Sequence, residues 1–139
     1  MAKQDNIDKL EKMGAQCIGN NDLSVFDDIW SADLVDHDPA PGQGPGGQGL
    51  QQFWSDFLAA FPDLTIEVDQ MLATDELLSM AYRVSGTHDG DFMGVGPTGK
   101  PIEIRGLQMS RHADDGTILE RWGSSDVLGI LEQIGAVKV

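Results

Sequence analysis

The stretch GLQQFWSDFLAAFPDLTIEVD (Gly49–Asp69) contains the change of period that decides the fold. Leu50, Phe53, Trp54, Phe57, Leu58 and Phe61 recur three and four residues apart, which lays one apolar stripe along a helix, and Pro62 stops it. Directly afterwards Leu64, Ile66 and Val68 alternate with polar residues, the period of a strand with one buried face. The stripe reads as a core face. Trp54 is large enough to line a cavity from the same side.

Upstream of this stretch the period is helical. Ile7, Leu10, Met13, Cys17 and Ile18 predict a first helix from about Asp5 to Gly19. Asn20-Asn21-Asp22 breaks it, Leu23–Trp30 reads as a short second helix, and Leu34–His37 as a brief extended piece. The segment DHDPAPGQGPGGQG (Asp36–Gly49) lacks the G-x-x-x-x-G-K-[ST] pattern of a phosphate cradle. It joins that extended piece to the aromatic helix, so it is expected to form the rim and lid of a pocket.

Downstream the strand period persists. Leu78, Met80, Tyr82 and Val84 alternate, and His88–Lys100 is a glycine-rich loop that forms a second lip. Pro101–Ala113 is a further strand in which apolar parity moves from Ile102 and Ile104 to Leu107 and Met109, predicting a bulge at Gly106. The turn Ala113–Gly116 returns the chain into Thr117–Ser125, and Asp126–Ile134 closes it as a helix capped by Asp126 and stopped by Gly135. Helices followed by a meander predict an α+β fold of a single domain over residues 1–139: a curved antiparallel sheet with N-terminal helices over its concave face, and a cavity between them.

The 139 residues carry a formal charge of −14, which argues against nucleic acid and anionic membrane as partners. No apolar run approaches the roughly 20 residues of a bilayer span, and the N-terminus lacks the apolar core of a secretory signal, so a cytoplasmic protein is expected. Cys17 lies at helical spacing from Leu10 and Met13 and reads as a buried, inert thiol. The three histidines have no metal-ligand spacing, so no metal is expected.

LVDHDP (Leu34–Pro39), GLQQF, FPDL (Phe61–Leu64), GTHDGDFMGVGPTGK (Gly86–Lys100) and ERWGSSDVLGILEQIG (Glu120–Gly135), in this order, resemble the SnoaL-like polyketide cyclases, also called ester cyclases. These belong to the nuclear-transport-factor-like cones, with the ketosteroid isomerases and scytalone dehydratases. The resemblance spans about residues 5 to 136. It implies an α+β cone, a homodimer through the open face of the sheet, and ring closure of a small hydrophobic carbonyl compound by aldol chemistry without metal or cofactor. That reaction needs a base for a proton next to a carbonyl and donors for the enolate.

Carried over by the hairpin and the closing helix, the family's catalytic aspartate falls on Gly123. Its histidines fall on Arg121 and Gln108, its amide on Gly106, and a pocket asparagine on Asp36. The architecture carries over and the cyclase's working residues do not. Asp36 and His37 are then the candidate acid and base. Arg121 and Gln108 are candidate anchors for the ligand, Arg121 pairing with a carboxylate in the plainer reading. Trp54, Tyr82 and Trp122 are candidate pocket wall. His88 is expected to hold its loop, and His112, at the hairpin turn, to be solvent-exposed. The function expected is proton transfer leading to cyclisation or isomerisation. The alternatives are a hydroxylase-type relative or a non-catalytic small-ligand-binding protein that uses the same pocket.

Overall fold

A computed structural model describes residues 2–138. Helix α1 (Ala2–Lys12) runs without a break into a π-helical segment, Met13–Ile18, which Gly19 closes by donating to Gly14 O at 2.8 Å. Leu10, Met13, Cys17 and Ile18 are buried, so the predicted stripe is the core face. The expected second helix shrinks to one turn, α2 (Phe26–Ile29), and β1 (Trp30–Asp36) begins four residues earlier than expected. The reason is long-range. Trp30 pairs with Ile118, and its Nε1 donates to Met13 Sδ at 3.3 Å, a partnership that local period cannot announce.

Helix α3 (Gly46–Ala60) begins ahead of its apolar stripe, so Gly46–Gly49 belong to the helix and not to the loop. A Cβ on Gly47 would stand 2.5 Å from Ser31 O, and one on Gly49 only 1.7 Å from Gly44 O. These glycines let the start of the helix sit directly on backbone. They are a packing device. Along the same helix Phe53, Trp54, Phe57 and Phe61 form a ladder of aromatic contacts that Phe92 joins from the glycine-rich loop.

The strands β2 (Thr65–Ala73), β3 (Leu77–Thr87), β4 (Pro101–His112) and β5 (Ile118–Ser125) form with β1 one sheet in the order β1-β5-β4-β3-β2. All neighbours are antiparallel except β1, which lies parallel to β5. The expected bulge at Gly106 is absent: β3 and β4 keep one register from Leu77↔Arg111 to Thr87↔Pro101. Ile102, Ile104, Gly106, Gln108, Ser110 and His112 all face inward. Leu107 and Met109 instead stand on the outer face, 62% and 42% exposed. The parity change in the sequence marks apolar residues on the second face of the sheet, not a kink. Register shifts occur between Val68 and Gln70 in β2 and between Arg111 and His112 in β4.

His112 is not exposed, as its place near a turn suggested, but 5% exposed. Its Nδ1 donates to Gly116 O and its Nε2 accepts from Ser110 Oγ, both at 2.7 Å. Helix α4 (Val127–Gln133) is capped by Asp126, whose Oδ1 accepts from Gly129 N at 2.8 Å, and Gly135 at φ +82° ends it, as the sequence predicts.

Candidate functional site

Between the N-terminal helical segment, α3 and the inner face of the sheet lies a cavity of about 890 Å³. Most of its wall is apolar, with Leu10, Met13, Leu50, Phe57, Val84 and Ile104 among the residues that form it. Polar groups gather on one side, where β5, β4 and the loop after β1 meet. Asp38, Gln43, Gln108 and Arg121 stand there, and the hydroxyls of Tyr82 and Ser125 lie further along the strands.

Arg121 organises the polar side. Its Nη1 donates to both oxygens of Asp36, at 2.8 and 3.0 Å, and its Nε donates to Gln108 Oε1 at 3.3 Å. Asp36 also accepts from Gln43 Nε2 at 2.9 Å and from the backbone of Asp38 at 3.0 Å. The side chains of Arg121 and Asp36 are 14% and 6% exposed, so this is a nearly buried ion pair whose hydrogen bonds replace much of the lost hydration. Arg121 therefore faces the cavity and pairs with a carboxylate at once.

Gly123 leaves room for Arg121. A Cβ there would lie 2.4 Å from Arg121 Nη2, so the guanidinium occupies the space that a side chain at 123 would take. A carboxylate reaches the backbone of Gly123 instead. Asp38 Oδ2 accepts from Gly123 N at 2.8 Å, and Asp38 borders the cavity.

Of the residues expected at the site, the structure brings together Asp36, Gln108 and Arg121, and it places Trp54 and Tyr82 on the cavity wall. His37 and Trp122 lie on the other face of the sheet. Their rings stack 4.7 Å apart at 8°, and His37 Nε2 bonds Glu120 Oε2 at 2.8 Å. Strand alternation is the cause: with Arg121 and Gly123 inward, Trp122 between them must point out. Asp38, Gln43 and Ser125 went unread in the sequence. Asp38 had a signal, since it shares strand parity with Asp36.

His88 is fully buried and ties its loop, Nδ1 accepting from Thr98 N at 3.2 Å and meeting Thr98 Oγ1 at 2.9 Å. The Cys17 thiol is pushed up to about 11 by burial, reinforced by Asp22 and opposed by Lys12, and it is inert at neutral pH. Among the described residues no three His, Cys, Asp or Glu side chains converge as metal ligands.

The sequence model of the SnoaL-like polyketide cyclases matches residues 9–134. The chain belongs to that family. Among solved structures, IdmH of Streptomyces antibioticus, a proposed polyketide cyclase, is 33% identical, with TM-score 0.78 over 94% of this chain and 98% of that one. AclR of Streptomyces galilaeus, a proposed hydroxylase, is 26% identical with TM-score 0.83, covering 99% and 89%. TsrD of Streptomyces laurentii shares the fold at 18% identity and TM-score 0.86, covering 97% and 98%. No curated protein matches the sequence significantly. In this SnoaL-like chain the family's α+β cone is thus kept, and the polar groups on one side of its cavity are arranged around Arg121.

Proposed function

We propose that the chain is an acid–base enzyme, working without a cofactor, that takes a proton from the carbon beside a carbonyl of a hydrophobic substrate and so starts cyclisation or isomerisation. The observation that carries this reading is the Asp38 carboxylate, held on Gly123 N at 2.8 Å at the edge of the cavity, facing the Arg121–Gln108 pair. Asp38 Oδ1 accepts the proton, and the bonding electrons pass to the carbonyl oxygen. The enolate oxygen meets Arg121 Nη2 and the amide nitrogen of Gln108, whose Oε1 is already turned to Arg121. The enolate carbon then bonds to a second carbonyl carbon of the substrate, whose C=O π bond breaks and whose oxygen takes the proton from Asp38. In a conjugated substrate the remote carbon of the dienolate takes that proton instead. The base assigned is thus Asp38 and neither Asp36 nor His37. Asp36 spends its oxygens on Arg121, Gln43 and the Asp38 backbone, and His37 stands outside the cavity.

A homodimer through the outer face of the sheet accompanies this reading. Leu107, Met109 and Val35 are exposed there beside Trp122, and charged residues hold only part of that face. The catalytic proposal is tested with 1-tetralone in D₂O, following exchange of its α-protons by NMR. The wild-type chain accelerates exchange, and Asp38→Asn lowers the rate by about 100-fold or more, the usual size of a general-base contribution. Binding of 1-tetralone without exchange assigns a non-catalytic binding protein instead. An unchanged rate in Asp38→Asn removes Asp38 from the mechanism.

A further inference from the structure

The polar groups of the cavity are not all at the Arg121 cluster. Tyr82, Gly106 and Ser125 are direct neighbours on adjacent strands, paired Tyr82↔Gly106 and Gly106↔Ser125. Gly106 has no side chain because the Tyr82 ring lies across it: a Cβ there would stand 2.4 Å from Tyr82 Oη and 2.5 Å from Cζ. Laid flat in this way, Tyr82 reaches Ser125, with Oη and Oγ 2.6 Å apart, and both residues border the cavity.

Two hydroxyls that share one hydrogen bond keep a second hydrogen and several lone pairs free, so the pair can serve a carbonyl or a hydroxyl with equal ease. Around it the wall is apolar, from Val84, Ile104, Val127 and Ile130. Tyr82 is only 8% exposed, so spare hydrogen-bonding capacity at its hydroxyl is costly unless a ligand or solvent uses it. Gly106 and Gln108 are two residues apart on one strand, and so are Ser125 and Gly123. The hydroxyl pair therefore lies roughly 7 Å from the Arg121–Gln108 cluster on the same wall, by the rise of an extended chain.

We infer that Tyr82 and Ser125 form a second oxygen-binding station, which takes a further hydroxyl or carbonyl oxygen of the substrate roughly 7 Å from the reacting carbonyl. The inference rests on the cavity being the substrate site, as proposed above. Gly106 acts as a positioning residue for Tyr82.

The test uses two probes, 1-tetralone and 6-hydroxy-1-tetralone, whose added hydroxyl lies across the aromatic ring from the carbonyl. Affinities are measured by calorimetry for the wild-type chain, Tyr82→Phe and Ser125→Ala, each first checked for an unchanged thermal melt. Wild type is expected to bind the hydroxy compound about 10-fold more tightly. Both variants should reduce that ratio to near one while affinity for 1-tetralone stays within about twofold. Equal affinities on wild type, no binding of either probe, or a ratio kept in both variants overturns the inference. Ser125→Ala removes only a hydroxyl at an exposed position, so it decides the matter if Tyr82→Phe fails to fold. Asp38→Asn separates the two readings: it is expected to lower α-proton exchange by about 100-fold or more and to leave the affinity ratio intact. Loss of exchange in wild type with the ratio present sinks the catalytic proposal alone.

Discussion

At the scale of single residues, Arg121 and Gly123 form one unit and not two. A Cβ at 123 and the Arg121–Asp36 pair claim the same volume. Gly123→Asp alone is therefore expected to displace the guanidinium, destabilising the fold by about 1–3 kcal/mol in urea denaturation and restoring no activity. The same substitution with Arg121→Ala should recover most of that loss. Asp36→Ala leaves Arg121 nearly buried and unpaired, at a cost of about 3 kcal/mol, whereas Asp36→Ala with Arg121→Met costs distinctly less. His112 sets a pH dependence. Burial pushes its imidazole below the ordinary value, partly offset by the bond to Gly116 O. The unfolded chain takes up a proton below about pH 6.5 that the folded chain resists. This contribution is full above that pH and is lost as pH falls through the lowered folded value. Between pH 7 and 5, His112→Gln should lose less stability than the wild-type chain, as read from denaturation midpoints.

At the scale of elements, the glycines ahead of α3 separate packing from flexibility. Gly49→Ala drives a methyl into Gly44 O, backbone that has nowhere to move, and should cost about 3 kcal/mol. Gly44→Ala, whose nearest new contact is 3.8 Å away, should stay within about 0.5 kcal/mol. A mobile lid would tolerate both, so paired melting curves decide. The body of α3, the β2–β5 meander and the α4 caps were legible in the sequence because each is announced by its own residues: the stripe from Leu50 to Phe61, alternation through Tyr82, and Asp126 with Gly135. The helical start at Gly46 was not, since glycines carry no apolar period. The absent bulge at Gly106 and the interior place of His112 depend on which face each strand turns inward, a fact fixed by its neighbours.

At the scale of the whole molecule, the same logic explains how much of the site could be read. Gln108 and Arg121 were found because the family frame marks their strands, and Trp54 and Tyr82 because helical and strand periods set them on the apolar faces, whereas Asp38 reaches Gly123 only after β1 has docked beside β5. The outer face carries the last prediction. Leu107→Lys or Met109→Lys should turn a dimer into a monomer in sedimentation velocity and leave the melting temperature of the protomer within a few degrees. Among the described strands β1 is the only one that runs parallel to its neighbour, at the sheet margin, and its three registered pairs include Asp36↔Arg121. Closing the 85 residues between Asp36 and Arg121 costs more chain entropy than closing the meander's hairpins, so this pairing is expected to follow them. A refolding chain is thus expected to carry a bare guanidinium on the meander until β1 docks and brings both acidic groups to it together. Fraying of that margin removes them together, and amide hydrogen exchange at His37, which donates to Arg121 O at 3.0 Å, times how often it happens.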